Sequence, residues 1–506
     1  MKYGSIAGGE KSTVEAASQI LKNGGNAFDA AVGAVFTSMV SEYNLTGPGG
    51  GGAFLAYPAN SNPILYDFFV DTPSPQPEKE LDFFNILVDF GPSQQQFYIG
   101  QGSVAVPGNA AGLLHVQQKL GKLPLKTVLE PAVETARSGV ILNEAQAYLV
   151  KILEPILTHS HEGTKLFKPD GKLLKQGDRF QNPAFADLLE MLIIEGARYF
   201  YEGDGAKMIL ETIGEKGLLT KESLTQYKVI ERNPLKSKFH GKTIYTNPAP
   251  ATGGTLITFF LQLLQQSKSA SAFDLINLIK AMQVTSIARN EIYLDPEDEF
   301  QISQVLEPEI FNHYLQLFDS GDTSLKNEQN PASRGATTHV SILDKHGNAA
   351  SVTTTNGEGC GYVIPEMGTM LNNMLGEEDL NPQGFHQWPW QRRLPTMISP
   401  TLVMGEKGVE MVLGSGGSNR LRSAISQVIL NFFVKNMDLE SAVYTARIHL
   451  EGSILHFEPE TTLELLPHNF QLHLWDEINL FFGGVNAVTP SSAVGDPRRG
   501  GTGTIC

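Results

Sequence analysis

Thr337 stands at the junction between a polar stretch and a segment typical of β-strands. Residues 319–336 are rich in Asp, Ser, Gly and Asn and contain almost no apolar side chains, a composition typical of a flexible linker. Residues 339–343 and 349–355 flank turn residues at 345–348, which predicts a β-hairpin. We expect the chain to be processed where a mobile linker meets a sheet strand.

The chemistry that suits a threonine at such a junction is nucleophilic attack. A hydroxyl is a poor nucleophile until a base removes its proton, and an internal threonine needs a neighbour for this. A threonine at a new chain start carries its own α-amine, whose ordinary pKa of roughly 7.7–8.0 suits a general base near neutral pH. Cleavage before Thr337 would expose the nucleophile and create its base in one event. The alternative is an ordinary Thr-rich strand, which β-propensity alone favours.

Two glycine-rich runs can bring backbone groups close to a reacting centre. Residues 49–52 are four consecutive glycines, which allow close backbone approach. A phosphate-binding loop is excluded there, because no Lys-Ser or Lys-Thr pair follows. Residues 53–57 are typical of a strand, so this loop leads into a sheet. Residues 414–418 (Gly-Ser-Gly-Gly-Ser) supply backbone N–H groups, and their alternative is a tight turn after a strand.

The elements that position these residues are predicted from periodicity and capping. Ser12 and Glu15 have capping-box spacing before a helical apolar pattern, and a helix over about 27–40 is apolar on most faces and should be buried. Residues 73–99 are expected to form an irregular surface excursion. Further predictions are helices at about 109–119 and 131–138, over most of 143–230 and from 253 to about 290, and short strands at 103–106 and 243–246.

The composition argues against several classes of protein. The chain has 506 residues, 41% of them hydrophobic, and a formal net charge of -16 without a basic run, which favours solubility and argues against a nucleic-acid partner. The two cysteines, Cys360 and Cys506, cannot build a disulfide framework or a CxxC metal pair, and no HExxH motif occurs. We therefore expect no cofactor and no metal. No stretch is apolar enough for a signal peptide or a membrane span, from which we expect a cytoplasmic protein.

Several motifs, in the same order along nearly the whole chain, resemble those of the γ-glutamyltransferase family of the N-terminal nucleophile hydrolase superfamily. The strongest is Thr337-Thr338-His339-Val340-Ser341, followed by Gly347-Asn348 and Val352-Thr353-Thr354-Thr355-Asn356. The others are Asn23-Gly24-Gly25-Asn26-Ala27-Phe28-Asp29-Ala30-Ala31, Gly49-Gly50-Gly51-Gly52, Val106-Pro107-Gly108, Leu371-Asn372-Asn373, Ser399-Pro400-Thr401 and Gly414-Ser415-Gly416-Gly417-Ser418.

This resemblance implies an α+β fold, a four-layer αββα sandwich whose precursor cleaves itself before a threonine. The bond here would join Ala336 to Thr337. The products would be a large segment, 1–336, and a small segment, 337–506, which stay associated in one interleaved αββα unit. A homo-oligomer is compatible with this arrangement.

The resemblance also implies roles for individual residues. Thr337 is the nucleophile, and Thr355 hydrogen-bonds its hydroxyl, with a plain cross-strand threonine pair as the alternative. Alignment on Arg420 makes the amides of Gly417 and Ser418 the oxyanion-hole donors. His339 shares a strand face with Thr337 and is expected to be structural. Substrate contacts are expected from five further residues, namely Asn356, Met374, Glu377, Thr396 and Met397.

The recognition of a substrate α-carboxylate is where the resemblance weakens. The family places an Arg upstream of its Val-Pro-Gly motif, and residues 67–84 contain none. Arg392 and Arg393 are candidate substitutes. Met374 cannot hydrogen-bond well where the family has a Gln, and Met397 lacks the hydroxyl of the family's Ser, whereas Glu377 can bind an ammonium and Thr396 keeps a hydroxyl. Trp388 and Trp390 suggest an apolar or aromatic acyl group, or else pack the segment 376–395 against the core.

Three functions follow as hypotheses. The first is a γ-glutamyl hydrolase or transferase that acts on glutathione or other γ-glutamyl amides through a γ-glutamyl-Thr337 ester, with water or an amine as acceptor. The second is an acylase with the same machinery and a different acyl group, glutaryl or aromatic. The third is a catalytically silent binding protein, against which the retained Thr337, Thr355 and glycine loop argue.

Overall fold

A computed structural model describes residues 2–89, 94–268, 273–292, 298, 301–320, 336–461 and 470–506. The linker predicted at 319–336 lies outside these ranges except for its first two residues and Ala336. The first two belong to the end of a helix, Pro308–Ser320.

A seven-stranded antiparallel sheet forms one of the two central layers. Its strands in spatial order are β22 (Thr502–Ile505), β1 (Gly4–Gly8), β11 (Thr337–Asp344), β12 (Ala349–Thr355), β2 (Gly51–Tyr57), β3 (Ile64–Phe68) and β8 (Ile230–Arg232). The predicted hairpin is therefore confirmed as β11 and β12, and it lies at the centre of this sheet. Strands from both sides of residue 336 are interleaved in this sheet, since β1 lies between β22 and β11.

A six-stranded antiparallel sheet forms the second central layer. Its order is β21 (Ala493–Val494), β20 (Gly484–Val488), β16 (Gly408–Gly416), β15 (Thr401–Gly405), β10 (Lys242–Thr246) and β9 (Leu235–Phe239). Smaller sheets pair β4 (Phe84–Asp89) with β5 (Gln94–Ile99), β6 (Val140–Ile141) with β7 (Arg179–Phe180), β13 (Val363–Ile364) with β14 (Thr369–Met370), and β17 (Ile448–Glu451) with β18 (Ile454–Phe457) and β19 (Gln471–Leu474).

Helices cover the outer faces of both sheets. The first half of the chain contributes α1 (Lys11–Lys22), α2 (Ala27–Ser41), α3 (Asn109–Leu120), α4 (Leu125–Ser138), α5 (Glu144–Ile152), α6 (Glu154–Leu157), α7 (His161–Phe167), α8 (Pro183–Glu195), α9 (Ala197–Tyr201), α10 (Asp204–Ile213) and α11 (Lys221–Gln226). The rest are α12 (Gly253–Gln266), α13 (Leu275–Glu291), α14 (Pro308–Ser320), α15 (Leu421–Phe433) and α16 (Leu439–Tyr444). None of the described helices is both long and apolar enough to cross a membrane.

Three apolar layers hold the sandwich together. Because strand side chains alternate between faces, Val340 and Ile342 of β11 pack with α2 on one side, whereas Leu343 lies with the residues between the two sheets. A further core joins the six-stranded sheet to α12 and α15. The order helix, sheet, sheet, helix confirms the four-layer α+β sandwich.

Four element predictions were wrong in detail. Helix α1 is capped by Glu10, whose carboxylate accepts the amide of Ser12 at 2.7 Å, and not by a capping box of Ser12 and Glu15. Residues 73–99 include the hairpin of β4 and β5, so the excursion is not irregular throughout. The strand predicted at 103–106 does not form. Residues Gln101–Ser103 form a 3-10 turn, and Val106 makes a single β-bridge. Helix α4 begins at Leu125 and contains Pro131, because the buried face through Val128 and Ala132 offsets the cost of an interior proline.

Candidate active site

Thr337 is the first residue of β11 and lies directly opposite Thr355, the last residue of β12. Both strands are rich in β-branched residues, which suit the pleated interior of a sheet. Thr337 is 4% exposed and Thr355 is 7% exposed. The hairpin register thus places two buried hydroxyl-bearing residues at one end of the central sheet.

The hydroxyl of Thr355 donates a hydrogen bond to the carbonyl oxygen of Ala336. The same hydroxyl accepts a hydrogen bond from the amide of Gly357 at 3.0 Å. In this uncut chain, the Thr355 hydroxyl is directed at the carbonyl that Thr337 would attack. The predicted contact between the two threonine hydroxyls stays a prediction for the cleaved chain.

The glycine run before β2 lies against the end of β12. A Cβ added to Gly50 would lie 2.0 Å from the carbonyl oxygen of Thr355, so no side chain fits there. The carbonyl of Gly50 accepts hydrogen bonds from the amides of Gly108 and Asn109 at 2.7 and 3.0 Å. The side chain of Asn109 donates to the carbonyl of Gly47 at 2.8 Å. Two motifs far apart in sequence therefore support the position of Thr355 together.

The asparagine pair at 372–373 braces the same region. Asn372 donates through its side-chain amide to the carbonyls of Gly49 and Ala105, at 2.8 and 3.0 Å. Asn373 accepts the backbone N–H of Glu358 at 2.9 Å. These buried asparagines satisfy loop backbone groups that would otherwise be unpaired.

The predicted oxyanion loop follows β16 and approaches the nucleophile from the second sheet. A Cβ on Gly416 would lie 2.2 Å from the carbonyl oxygen of Thr337, so the two backbones are in close contact. Gly417 has a φ of 122° and Ser418 a φ of 49°, a conformation that non-glycine residues rarely adopt. The Ser418 hydroxyl donates to Asp379 at 3.0 Å, which anchors the loop. The roles of the Gly417 and Ser418 amides as oxyanion donors stay predictions.

Arg499 and Glu42 complete the surroundings of the nucleophile, and our sequence analysis missed both. Arg499 donates to the carbonyl oxygen of Thr337 at 3.3 Å, and burial lowers the pKa of its guanidinium to about 10. Glu42 accepts the hydroxyl of Thr338 at 2.8 Å, and burial raises the pKa of its carboxyl to about 8. Arg499 lies more than 160 positions from Thr337 in sequence, so no local pattern connects the two.

His339 is structural in this arrangement. Its ring nitrogens lie 2.8 Å from the hydroxyls of Thr353 and Ser341, and the ring packs against Gly414. The side chain is 1% exposed, and burial lowers the pKa of the imidazole to about 3. Both nitrogens are occupied and the ring is neutral near pH 7, so His339 is not available as a base for Thr337.

Glu358 is a further residue that our sequence analysis missed. Its Oε1 accepts the backbone N–H of Ala336 at 3.3 Å, and the side chain is buried. Burial, followed by the charge of Glu377, raises the pKa of Glu358 well above its ordinary range. Burial and then Asp379 raise the pKa of Glu377 to about 8. A signal was available, since Glu358 stands between two glycines only three residues after Thr355.

The other predicted substrate residues are buried and engaged within the fold. Asn356 donates to the carbonyl of Met370 at 3.1 Å, and Met374 is fully buried in the core between the sheets. Thr396 accepts the amide of Ile398 at 3.2 Å. The sulfur of Met397 accepts a hydrogen bond from Thr252 at 2.8 Å. Glu377 is the member of the predicted set that lies beside Glu358.

Arg393 is held by carboxylates within the fold. Its Nη1 donates to Asp67 at 2.9 Å, its Nε donates to Asp71 at 2.6 Å, and its Nη2 donates to the carbonyl of Lys228 at 2.8 Å. Arg393 therefore does not provide the substitute cation considered from sequence. Trp388 is buried and donates to the carbonyl of Leu380 at 2.8 Å, so it packs the segment against the core, whereas Trp390 is partly exposed.

The sequence and the fold are similar to those of known proteins. Residues 13–505 match the family model of Gamma-glutamyltranspeptidase. The glutathione hydrolase proenzyme of Escherichia coli (strain K12) is 29% identical over 475 residues, which are 88% of this chain and 81% of that protein. The acylase ACY 1 proenzyme of Pseudomonas sp. (strain SE83) is 26% identical over 469 residues, with 89% and 84% covered. The crystal structure of cephalosporin acylase from Bacillus halodurans superposes with a TM-score of 0.84 at 20% identity, covering 99% and 96% of the two chains, and so shares the fold.

Within the described ranges, no group of three or more His, Cys, Asp or Glu side chains is arranged to hold a metal ion. The site instead consists of hydroxyls, glycine-loop amides and buried carboxyls around the bond between Ala336 and Thr337. This combination suits acyl transfer to a hydroxyl oxygen.

Proposed function

The chain belongs to the γ-glutamyltranspeptidase family of enzymes, and we propose that it is a self-cleaving amidohydrolase and acyltransferase with Thr337 as its nucleophile. The observation that supports this is the hydrogen bond from the Thr355 hydroxyl to the carbonyl of Ala336. A donor on that oxygen polarises the carbonyl carbon that Thr337 would attack. An ordinary threonine pair within a sheet has no reason to meet the preceding carbonyl in this way.

Self-cleavage would proceed as an acyl shift. The Thr337 oxygen bonds to the Ala336 carbonyl carbon, the carbon–nitrogen bond breaks, and the Thr337 nitrogen takes up the proton that the hydroxyl gives up. Water then hydrolyses the resulting ester and releases Ala336 as a new carboxyl terminus. Thr355 stabilises the negative charge that develops on the carbonyl oxygen, a type of contact that contributes ~10²–10³ in rate.

The mature enzyme would repeat this chemistry on an external amide. The freed α-amine of Thr337 removes the hydroxyl proton, and the hydroxyl attacks the substrate carbonyl to form an acyl ester. The amides of Gly417 and Ser418 receive the charge on the substrate oxygen. Water or an amine then takes the acyl group from Thr337. The low pKa of His339, about 3, supports the α-amine rather than the imidazole as the base.

The acyl group that we propose first is γ-glutamyl, as the name of the relative from Escherichia coli suggests. A second candidate is an acylase that acts on a non-glutamyl amide. The observation in its favour is the engagement of Arg393 by Asp67 and Asp71, because these buried ion pairs hold within the fold the guanidinium that was a candidate for a substrate α-carboxylate.

Intact mass measurement and N-terminal sequencing of the purified protein test the proposal. We expect two fragments, the second of which begins at Thr337, and release of p-nitroaniline from γ-glutamyl-p-nitroanilide. Thr337→Ala should yield one uncut, inactive chain, whereas Thr337→Ser keeps a hydroxyl and should cleave slowly. An uncut wild-type chain that hydrolyses amides, or a Thr337→Ala chain that still splits at this bond, contradicts the proposal.

A further inference from the structure

A small cavity lies beside α15, the helix that follows the predicted oxyanion loop. Residues of α12, α13, α15 and β17 line it, and it has room for about one water molecule or one small ion. Its polar lining comes from Thr285, Arg422, Ser423, Ser426 and His449. We call this space the α15 cavity. Because it lies among helices on the outer face of the second sheet, it is separate from the site around Thr337.

Two buried groups of the α15 cavity have no hydrogen-bond partner. They are Nη1 of Arg422 and the hydroxyl of Ser426, a residue that is 0% exposed. The two residues are four positions apart on α15, so their side chains share one face of the helix. Leaving a buried donor unpaired is destabilising, and two of them at one cavity indicate that an acceptor belongs there.

The other groups that line the α15 cavity do not supply this acceptor. Thr285 donates to the carbonyl of Ala281 at 2.7 Å. The hydroxyl of Ser423 lies 2.7 Å from Nδ1 of His449 and 3.1 Å from the carbonyl of Arg420. Apolar side chains complete the wall, namely Phe260, Met282 and Leu450. Among the described residues, none of these groups accepts a hydrogen bond from either unpaired donor.

The charges that act on Arg422 do not balance. Burial, followed by the charge of Arg289, lowers the pKa of the Arg422 guanidinium to about 9. Asp379 and Glu451 act in the opposite direction, but each of them also faces another arginine. Asp379 lies 4.0 Å from Arg289, and Glu451 lies 3.8 Å from Arg420. Three guanidiniums therefore share two carboxylates, which leaves an excess of positive charge at this cavity.

We infer that the α15 cavity binds one monatomic anion of the size of chloride, held by Nη1 of Arg422 and the hydroxyl of Ser426. Such an ion accepts from both donors and compensates the excess charge. A water molecule would bring no charge, and the space is too small for phosphate or sulfate. Arg422 is partly exposed, whereas Ser426 is fully buried, so the ion would enter past the arginine.

An anion at this position would stabilise the start of α15. The chain passes from the predicted oxyanion loop through the 3-10 turn Ser418–Arg420 into α15, and Arg422 lies in the first turn of that helix. Nη2 of Arg422 donates to Ser286 of α13 at 3.2 Å, so the ion would also hold this turn against α13. The inference goes beyond the proposed function and requires neither self-cleavage nor a substrate.

Urea unfolding of the uncut Thr337→Ala protein tests for the ion. The measurements compare sodium chloride with sodium gluconate at equal ionic strength, because gluconate is too large for the cavity. We expect a higher urea midpoint in chloride, with a stability that grows with chloride concentration as expected for one bound ligand. In this background, Ser426→Ala should weaken the apparent affinity for chloride by about tenfold or more, the effect of one hydrogen bond to a charged group. Arg422→Met should abolish the response to chloride.

A control variant and a crystallographic measurement locate the site. Arg392→Met removes an exposed arginine and should keep the full response to chloride. Crystals of the purified protein soaked in sodium bromide should give an anomalous bromide signal within hydrogen-bond distance of Arg422 and Ser426. The signal should be absent from crystals of Ser426→Ala at a bromide concentration that only just fills the site of the parent protein.

Equal stability in chloride and gluconate overturns the inference. A response to chloride that persists unchanged in both Ser426→Ala and Arg422→Met also overturns it, because the ion would then bind elsewhere. So does a water molecule in the α15 cavity of the bromide-soaked crystals. If Arg422→Met does not fold, Ser426→Ala decides the matter, because it removes a single hydroxyl. None of these outcomes bears on the proposed function, which the masses of the cleaved fragments test.

Discussion

Thr355 donates its hydroxyl hydrogen to the carbonyl oxygen of Ala336, across the hairpin from the threonine that follows that carbonyl. The contact exists because residues 337 and 355 are direct cross-strand partners at the open end of the hairpin. The same hydroxyl holds the scissile peptide in place and polarises its carbonyl. It leads to the first of four predictions.

Removal of the Thr355 hydroxyl should slow self-cleavage. Thr355→Ala loses the donor to the Ala336 carbonyl, and we expect cleavage to slow by ~10²–10³, the typical effect of one oxyanion donor. Thr355→Ser keeps the hydroxyl and should remain within about tenfold of the wild type. Mass spectrometry of freshly purified precursor over time measures both rates. Equal rates for the alanine and serine variants would show that the hydroxyl has no part in the reaction.

The glycine-rich loop before β2 should tolerate a methyl group at Gly47 and not at Gly50. In Gly50→Ala the new Cβ would lie 2.0 Å from the Thr355 carbonyl, whereas at Gly47 the nearest atom is 3.6 Å away. We expect Gly50→Ala to slow self-cleavage by about 10² or more, since a displacement of about 1 Å at a reacting centre can cost that much. Gly47→Ala, the control in the same loop, should cleave at nearly the wild-type rate. The same time course measures both, and rapid cleavage by Gly50→Ala would contradict the close approach.

Glu42 should make the protein less stable as the pH rises. Burial raises the pKa of this carboxyl from 4.5 to about 8 in the folded chain. A raised folded-state pKa means that the stabilisation is complete below the unfolded pKa and is lost as the pH rises through about 8. In an uncut Thr337→Ala background, the free energy of unfolding should fall by about 2 kcal/mol from this group between pH 6 and pH 9.

Urea unfolding at several pH values in that background measures the effect, with Glu42→Gln as the comparison. Glutamine can still accept the Thr338 hydroxyl and carries no charge, so the variant should lose less stability toward pH 9 than its parent. Two parallel pH profiles would mean that the pKa of Glu42 is not raised in the folded protein.

Arg393 should stabilise the fold and should not affect which acyl group the enzyme accepts. Arg393→Met leaves Asp67 and Asp71 without their buried partner, which costs roughly 3–5 kcal/mol when one member of a buried ion pair is removed. Arg392→Met, at the exposed neighbouring position, should change the free energy of unfolding by less than about 0.5 kcal/mol. Urea unfolding of both variants in the uncut background tests this, and similar stabilities would rule out the buried role of Arg393.

The sequence by itself determined the parts of this protein that depend on local pattern. The composition around residue 336, the alternation of β11 and β12, and the glycine runs are short-range features, and each predicts a structure without reference to distant residues. The resemblance of several ordered motifs to the γ-glutamyltransferase family added the fold and the choice of Thr337. These predictions of the fold and the family are confirmed.

Only the tertiary structure decided which groups surround the bond at Thr337. Arg499 and Glu42 reach it from the last and the first parts of the chain. Arg499 precedes β22, and Glu42 follows α2, which packs against β11. Arg393 was a candidate for substrate binding until its position against Asp67 and Asp71 was known. Burial also shifts the pKa values of Glu358 and Glu377, and burial is a property of packing between distant segments that local sequence patterns do not contain.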